Sequence, residues 1–172
     1  MTVYEYIIAM KRILIQGSVI KIHYSHFVSG KIIKRFNAPG SSFLNDVVAD
    51  NQGNIYVSDT GTNTIYKLDT KLDNSTTASL QAWLQNPRLN GPNGLHVDNN
   101  KNKLIVVSLG PLSNPGGSTE VIDLKSKTIS SLGKPGTTSP FGGLDGIESD
   151  ASKTHYYVTD NPAGIHRFLQ RC

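Results

Sequence analysis

Asn45, Asn93 and Asp145 supply two amide oxygens and one carboxylate, the donor types that suit a hard cation. Each opens a segment in the same register: Asn45-Asp46-Val47-Val48-Ala49-Asp50, Asn93-Gly94-Leu95-His96-Val97-Asp98 and Asp145-Gly146-Ile147-Glu148-Ser149-Asp150. The opening residue steps by 48 positions and then by 52, and the closing aspartate does the same. Segments kept in phase at both ends over that distance are units of a repeat. If equivalent positions converge on one axis, three oxygens far apart in sequence meet at one end of it. The plainer reading is that Asn-Gly and Asp-Gly are turn dipeptides that simply start each strand. Spacing alone leaves both open.

A repeat of about 50 residues built from short strand-like runs predicts an all-β fold, a β-propeller of four-stranded antiparallel blades around a central channel. In the best-defined unit the strands fall near 46–50, 54–58, 63–68 and 79–85. Asp50-Asn51-Gln52-Gly53 closes the first hairpin, and Asp98-Asn99-Asn100-Lys101 and Asp150-Ala151-Ser152-Lys153 stand in the same place, so Asp50, Asp98 and Asp150 read as turn residues. Ile55-Tyr56-Val57, Leu104-Ile105-Val106-Val107 and Tyr156-Tyr157-Val158 are β-branched or aromatic runs fit for central strands. Third strands follow at Thr64–Leu68, Thr119–Leu124 and Gly164–Phe168, with an earlier copy at Ser18–Ile22; fourth strands follow at Lys31–Phe36, Leu80–Leu84 and Thr128–Leu132. Antiparallel alternation returns the loops 59–63, 108–117 and 160–164 to the end of the channel that carries Asn45, Asn93 and Asp145, where they would rim a pocket.

The 172 residues provide about three and a half such units, against about four to eight in a closed propeller. The expectation is therefore an incomplete ring: residues 17–172 as a partial β-propeller, and residues 1–16 as either a degenerate pair of inner strands or sequence outside it. Open sheet edges at both ends would permit self-association. Seventeen Lys and Arg against thirteen Asp and Glu give a net charge of +4, but the cations are scattered and the single tryptophan, Trp83, stands apart from any basic stripe. That argues against a nucleic-acid partner. The apolar run Tyr6–Met10 is cut by Lys11 and Arg12 and is too short to span a bilayer, so no membrane association is expected. A lone cysteine, Cys172, excludes an internal disulfide or a cysteine metal cluster and favours a cytoplasmic location. A secreted or periplasmic location stays open should a signal peptide precede this segment, and Asn74-Ser75-Thr76 fits a glycosylation sequon.

The segments Leu44-Asn45-Asp46, Asp50-Asn51-Gln52-Gly53-Asn54-Ile55-Tyr56-Val57-Ser58-Asp59, Gly91-Pro92-Asn93-Gly94-Leu95 and Leu144-Asp145-Gly146-Ile147 resemble the senescence marker protein, gluconolactonase and luciferin-regenerating enzyme-like family. The resemblance covers about residues 17 to 172 and implies a six-bladed propeller with a divalent cation in its channel. It implies that Asn93 and Asp145 ligate the metal and that Asn45 is a further ligand or substrate contact. It also implies hydrolysis of a lactone or related ester, with the cation polarising the carbonyl and Asp145 acting on water as general base. Calcium is the expected ion, with zinc, magnesium or manganese as alternatives. The family's remaining ligand, a glutamate nearly two repeats upstream of Asn45, has no counterpart here: Glu5 is too close to Asn45 and lacks the following Gly-Pro context. None of the five histidines has ligand spacing; His96 is either a packed strand residue or a group standing behind the ligands. Related propellers, strictosidine synthase-like and NHL-repeat proteins among them, share the blade pattern, so the alternative to an enzyme is a noncatalytic NHL-like scaffold that binds protein or small ligands.

Overall fold

The computed structural model describes residues 13–16, 19–25, 32–69, 79–110, 116–132, 143–161 and 164–169. They form four antiparallel sheets in chain order. The first holds β1 (Ile13–Gln16), β2 (Val19–Ser25) and β3 (Ile32–Asn37); the second, β4 (Leu44–Ala49), β5 (Asn54–Asp59), β6 (Thr64–Asp69) and β7 (Gln81–Gln85). The third holds β8 (Pro92–Asp98), β9 (Lys103–Ser108), β10 (Thr119–Asp123) and β11 (Ile129–Ser131), and the fourth β12 (Gly143–Ser149), β13 (His155–Asn161) and β14 (Gly164–Leu169). Each sheet is a meander in which sequential strands pair, the order expected of propeller blades. Among the described residues the only helical element is the 3-10 turn Pro87–Leu89, and no helix is long and apolar enough to cross a membrane. Ile13–Gln16 pairs with β2 as part of the first sheet. The expectations for residues 1–12, for the sequon at Asn74, for Cys172 and for the rim-loop tips at 111–115 and 162–163 lie outside the described residues.

The core lies between the blades. Leu104 and Val106 of β9, with Leu95 and Val97 of β8, face the second sheet, where they join Tyr56 and Ile65; Ile105 and Val107 face the fourth, where they join Leu144, Ile147, Tyr156 and Val158. All four β9 residues are wholly buried, so the strand reads as an unbroken apolar run rather than an alternation. Ile55 and Val57 of β5 pack the other way, with Phe36, Leu44 and Leu80. On β13 the alternation returns. Tyr156 and Val158 are buried against the third sheet, whereas Tyr157, which occupies the position of Tyr56 and Ile105, is 41% exposed.

The turn aspartates do what their side chains allow. The carboxylate of Asp50 accepts from the backbone N–H groups of Gln52 and Asn54 and from Asn54 Nδ2, that of Asp98 from the N–H groups of Asn100 and Lys101, and that of Asp150 from those of Thr154 and His155. Asp59, wholly buried at the end of β5, ties the chain entering β4: its oxygens accept from the N–H groups of Ser42 and Phe43, both at 2.8 Å, and of Gly61 at 3.0 Å. Asp59→Ala strands three backbone donors and is expected to cost about 3 kcal/mol. Thermal unfolding should then fall by roughly 6–12 °C for a chain of this size; a midpoint within 2 °C of wild type, on the order of 1 kcal/mol or less, would show that the loop carries none of the stability.

Candidate functional site

The three segments singled out by the repeat are the first strands of the second, third and fourth blades, and each is interrupted at its opening residue. In the second blade Leu44 pairs with Asp59 and the next partners are Val47 and Val57, so Asn45 and Asp46 together oppose Ser58. Asn93 and Gly94 oppose Val107 in the same way, and Asp145 and Gly146 oppose Thr159. Sequence reasoning began the strand in the second blade at residue 46; the pairing begins at Leu44, and Asn45 sits inside a β-bulge. A bulge inserts one residue, so the opening residue and the one three places on come to the same face of the strand. Glycine inside a strand was the available signal for this, at Gly94 and Gly146.

Asn45, Asn93 and Asp145 consequently line one concavity of about 500 Å³, together with His96, Glu148 and Thr159. Asn93 is buried, Asn45 half-buried and Asp145 exposed. The hydrogen bonds fix both amides. Asn45 Nδ2 donates to Thr60 Oγ1 at 3.2 Å, and Thr60 Oγ1 in turn donates to the Pro92 carbonyl at 2.7 Å. Asn93 Nδ2 donates to the Leu144 carbonyl at 3.0 Å, and the Asn93 backbone carbonyl accepts from Ser58 Oγ at 2.6 Å. With each nitrogen held by a neighbouring loop or blade, Oδ1 is the amide atom left for a ligand. Asp46 is different: its oxygens accept from the N–H groups of Val47 and, across the blades, Leu95, so this carboxylate serves the scaffold.

Below the opening residues stands a second row, Val48, His96 and Glu148, which sequence reasoning did not assemble and in which Glu148 went unnoticed. His96 Nδ1 lies 3.5 Å from Glu148 Oε2, and the imidazole meets the ring of Tyr156 edge-on at 5.4 Å. Burial pulls the His96 pKa below its ordinary value, and the charges of Glu148 and Asp98 act against that pull. None of the lining residues is a lysine or arginine, whereas Asp46, Asp145 and Glu148 contribute carboxylates, so a chain of net charge +4 presents an acidic concavity. Such a wall concentrates cations and repels anions. Among the described residues no three His, Cys, Asp or Glu side chains gather as a metal site, which leaves the two amide oxygens and Asp145 as the candidate donor set.

The chain matches no protein-family model and no curated protein. Among solved structures it is similar to a chain of the nidogen/laminin complex, with TM-score 0.58 and 13% identity over 87% of this chain and 52% of that one. It is also similar to a catalytically inactive variant of virginiamycin B lyase from Staphylococcus aureus, with TM-score 0.57 and 15% identity over 92% of this chain and 54% of that one. A gluconolactonase from Xanthomonas campestris aligns at 14% identity over 88% of this chain and 68% of that one, but its TM-score of 0.42 gives it no weight. The chain thus spans about half the length of the first two. At these identities the likenesses establish one thing, the β-propeller fold, and this chain adopts it.

Proposed function

We propose that the concavity is a divalent-cation site, with calcium as the ion, serving hydrolysis of a lactone or related ester when the propeller is whole. The observation that supports this reading is the anchoring of Asn45 and Asn93 by their nitrogens, which leaves two amide oxygens beside the exposed carboxylate of Asp145 on an acidic wall. The donor set fits calcium, which accepts carbonyl and carboxylate oxygens together with water; zinc would call for histidine or cysteine. Asn45, Asn93 and Asp145 would hold the ion, and a bound cation supplies polarisation of the scissile carbonyl and stabilisation of the negative charge that develops on its oxygen. The chain's own residues hold the ligands in place through Thr60 and the Leu144 carbonyl. Calorimetric titration of the folded chain with calcium chloride tests the reading: binding with a dissociation constant in roughly the micromolar to millimolar range, removed in Asp145→Ala, supports it. A folded chain that takes up no calcium would sink it in favour of a noncatalytic scaffold.

A further inference from the structure

We propose that His96 and Glu148 are the proton-transfer pair of this site, with His96 as the general base and Glu148 as the residue that positions it; this rests on the hydrolase reading above. Three observations carry it. The bulges at Asn93-Gly94 and Asp145-Gly146 set His96 on the same face as Asn93, and Glu148 on the same face as Asp145. Two strand residues rise about 7 Å, so a ligand of a few heavy atoms held by the opening row reaches the second. Both residues line the concavity, and their facing atoms are Nδ1 and Oε2.

Glu148 next to Nδ1 favours the tautomer that carries its proton there, which leaves the Nε2 lone pair for the ligand. The step balances within the site. Nε2 takes a proton from water as the water oxygen bonds to the acyl carbon, and the acyl C–O bond then breaks. The imidazolium returns the proton to the leaving alkoxide oxygen, so one lactone and one water give one hydroxy acid. Glu148 stabilises the transient imidazolium. Asp145 is poorly suited to this work, because a carboxylate bound to a cation has its pKa lowered and becomes a weak base. The groups facing His96 are Glu148 on β12, Asp98 at the end of its own strand, Lys153 in the β12–β13 turn and the Tyr156 ring on β13, whose hydroxyl donates to Asp98 at 3.3 Å. Burial keeps the imidazole neutral, and therefore basic, at neutral pH.

The test uses His96→Gln and Glu148→Gln in the whole chain, with calcium alone and phenyl acetate as probes. His96→Gln is expected to retain calcium binding within about twofold while hydrolysis falls by about 100-fold. In the wild type the acid limb of the rate profile should lie below pH 6.5, the ordinary histidine value. Glu148→Gln removes a charge that raises the His96 pKa, so the limb should move to lower pH, and so should the His96 imidazole titration followed by NMR without any metal. Unchanged turnover in His96→Gln with calcium still bound overturns the pair and leaves the cation site standing. Calcium binding without any hydrolysis by the wild type overturns it too, as does a His96 titration that Glu148→Gln fails to move. Failure of the wild type to bind calcium refutes the cation reading, and the NMR titration still decides whether the two residues are paired.

Discussion

Combining Asp145→Asn with Asn93→Ala is expected to bring calcium-dependent ester hydrolysis down to the uncatalysed background while the sheets remain folded. Asp145 is the one charged donor in the set, and calcium affinity is tuned largely by the count of charged ligands. Neutralising it with an isosteric amide should weaken binding by two to three powers of ten, about 3–4 kcal/mol. Asp145 is exposed, so this half of the double variant asks nothing of the core. Asn93→Ala removes a second oxygen and the 3.0 Å bond from Nδ2 to the Leu144 carbonyl, at a stability cost of about 1–2 kcal/mol. Far-ultraviolet circular dichroism should remain that of the wild type. Turnover that survives the double variant, measured with phenyl acetate at saturating calcium, means that the hydrolysis does not depend on these oxygens.

Much of this fold was written in the order of residue types. The apolar runs at β5 and β9 fixed the central strands because blades packed on both faces need no polar alternation, and Asp50, Asp98 and Asp150 fixed the hairpins because their carboxylates bind the turn's own backbone. The candidate site was legible in its first row and hidden in its second. Repeat phase brought Asn45, Asn93 and Asp145 together, since equivalent blade positions converge whatever lies between them. His96 and Glu148 stayed apart because a spacing of three places two residues on opposite faces of a regular strand, and only the bulge cancels that. Bulge position depends on pairing with the neighbouring strand, at Val107 and Thr159, which no window along the chain contains. The role of Asp59 was hidden for the same reason: its partners Ser42 and Phe43 are 17 and 16 residues away. Ser58 and Thr159 show how far the blades repeat one another, since each hydroxyl accepts from a bulge N–H, of Asp46 and of Gly146.

A further large effect on stability is expected from a single methyl group at Gly94. A Cβ there would land inside contact distance of the Asp145 carbonyl oxygen, with Val107 Cγ2 at 2.9 Å and Gly146 Cα at 3.1 Å. Two of these three atoms are backbone of the fourth blade, so no side-chain rotation relieves the clash; the third and fourth blades must separate. Glycine is required at this position by the approach of two bulged strands. Overpacking of this kind costs about 3 kcal/mol or more, because separation also loosens Ile105 and Val107 from Leu144, Ile147 and Tyr156. The midpoint of thermal unfolding for Gly94→Ala should fall by roughly 6–12 °C. Gly116→Ala, where an added Cβ meets nothing within 4 Å, should leave it within about 2 °C. The same displacement moves Asp145 away from Asn93, so whatever Gly94→Ala protein does fold should bind calcium at least tenfold more weakly, on the order of 1.4 kcal/mol. Equal midpoints for the two glycine variants would mean that the blades do not meet as closely as Gly94 and Asp145 do here, and the shared concavity would lose its geometric basis.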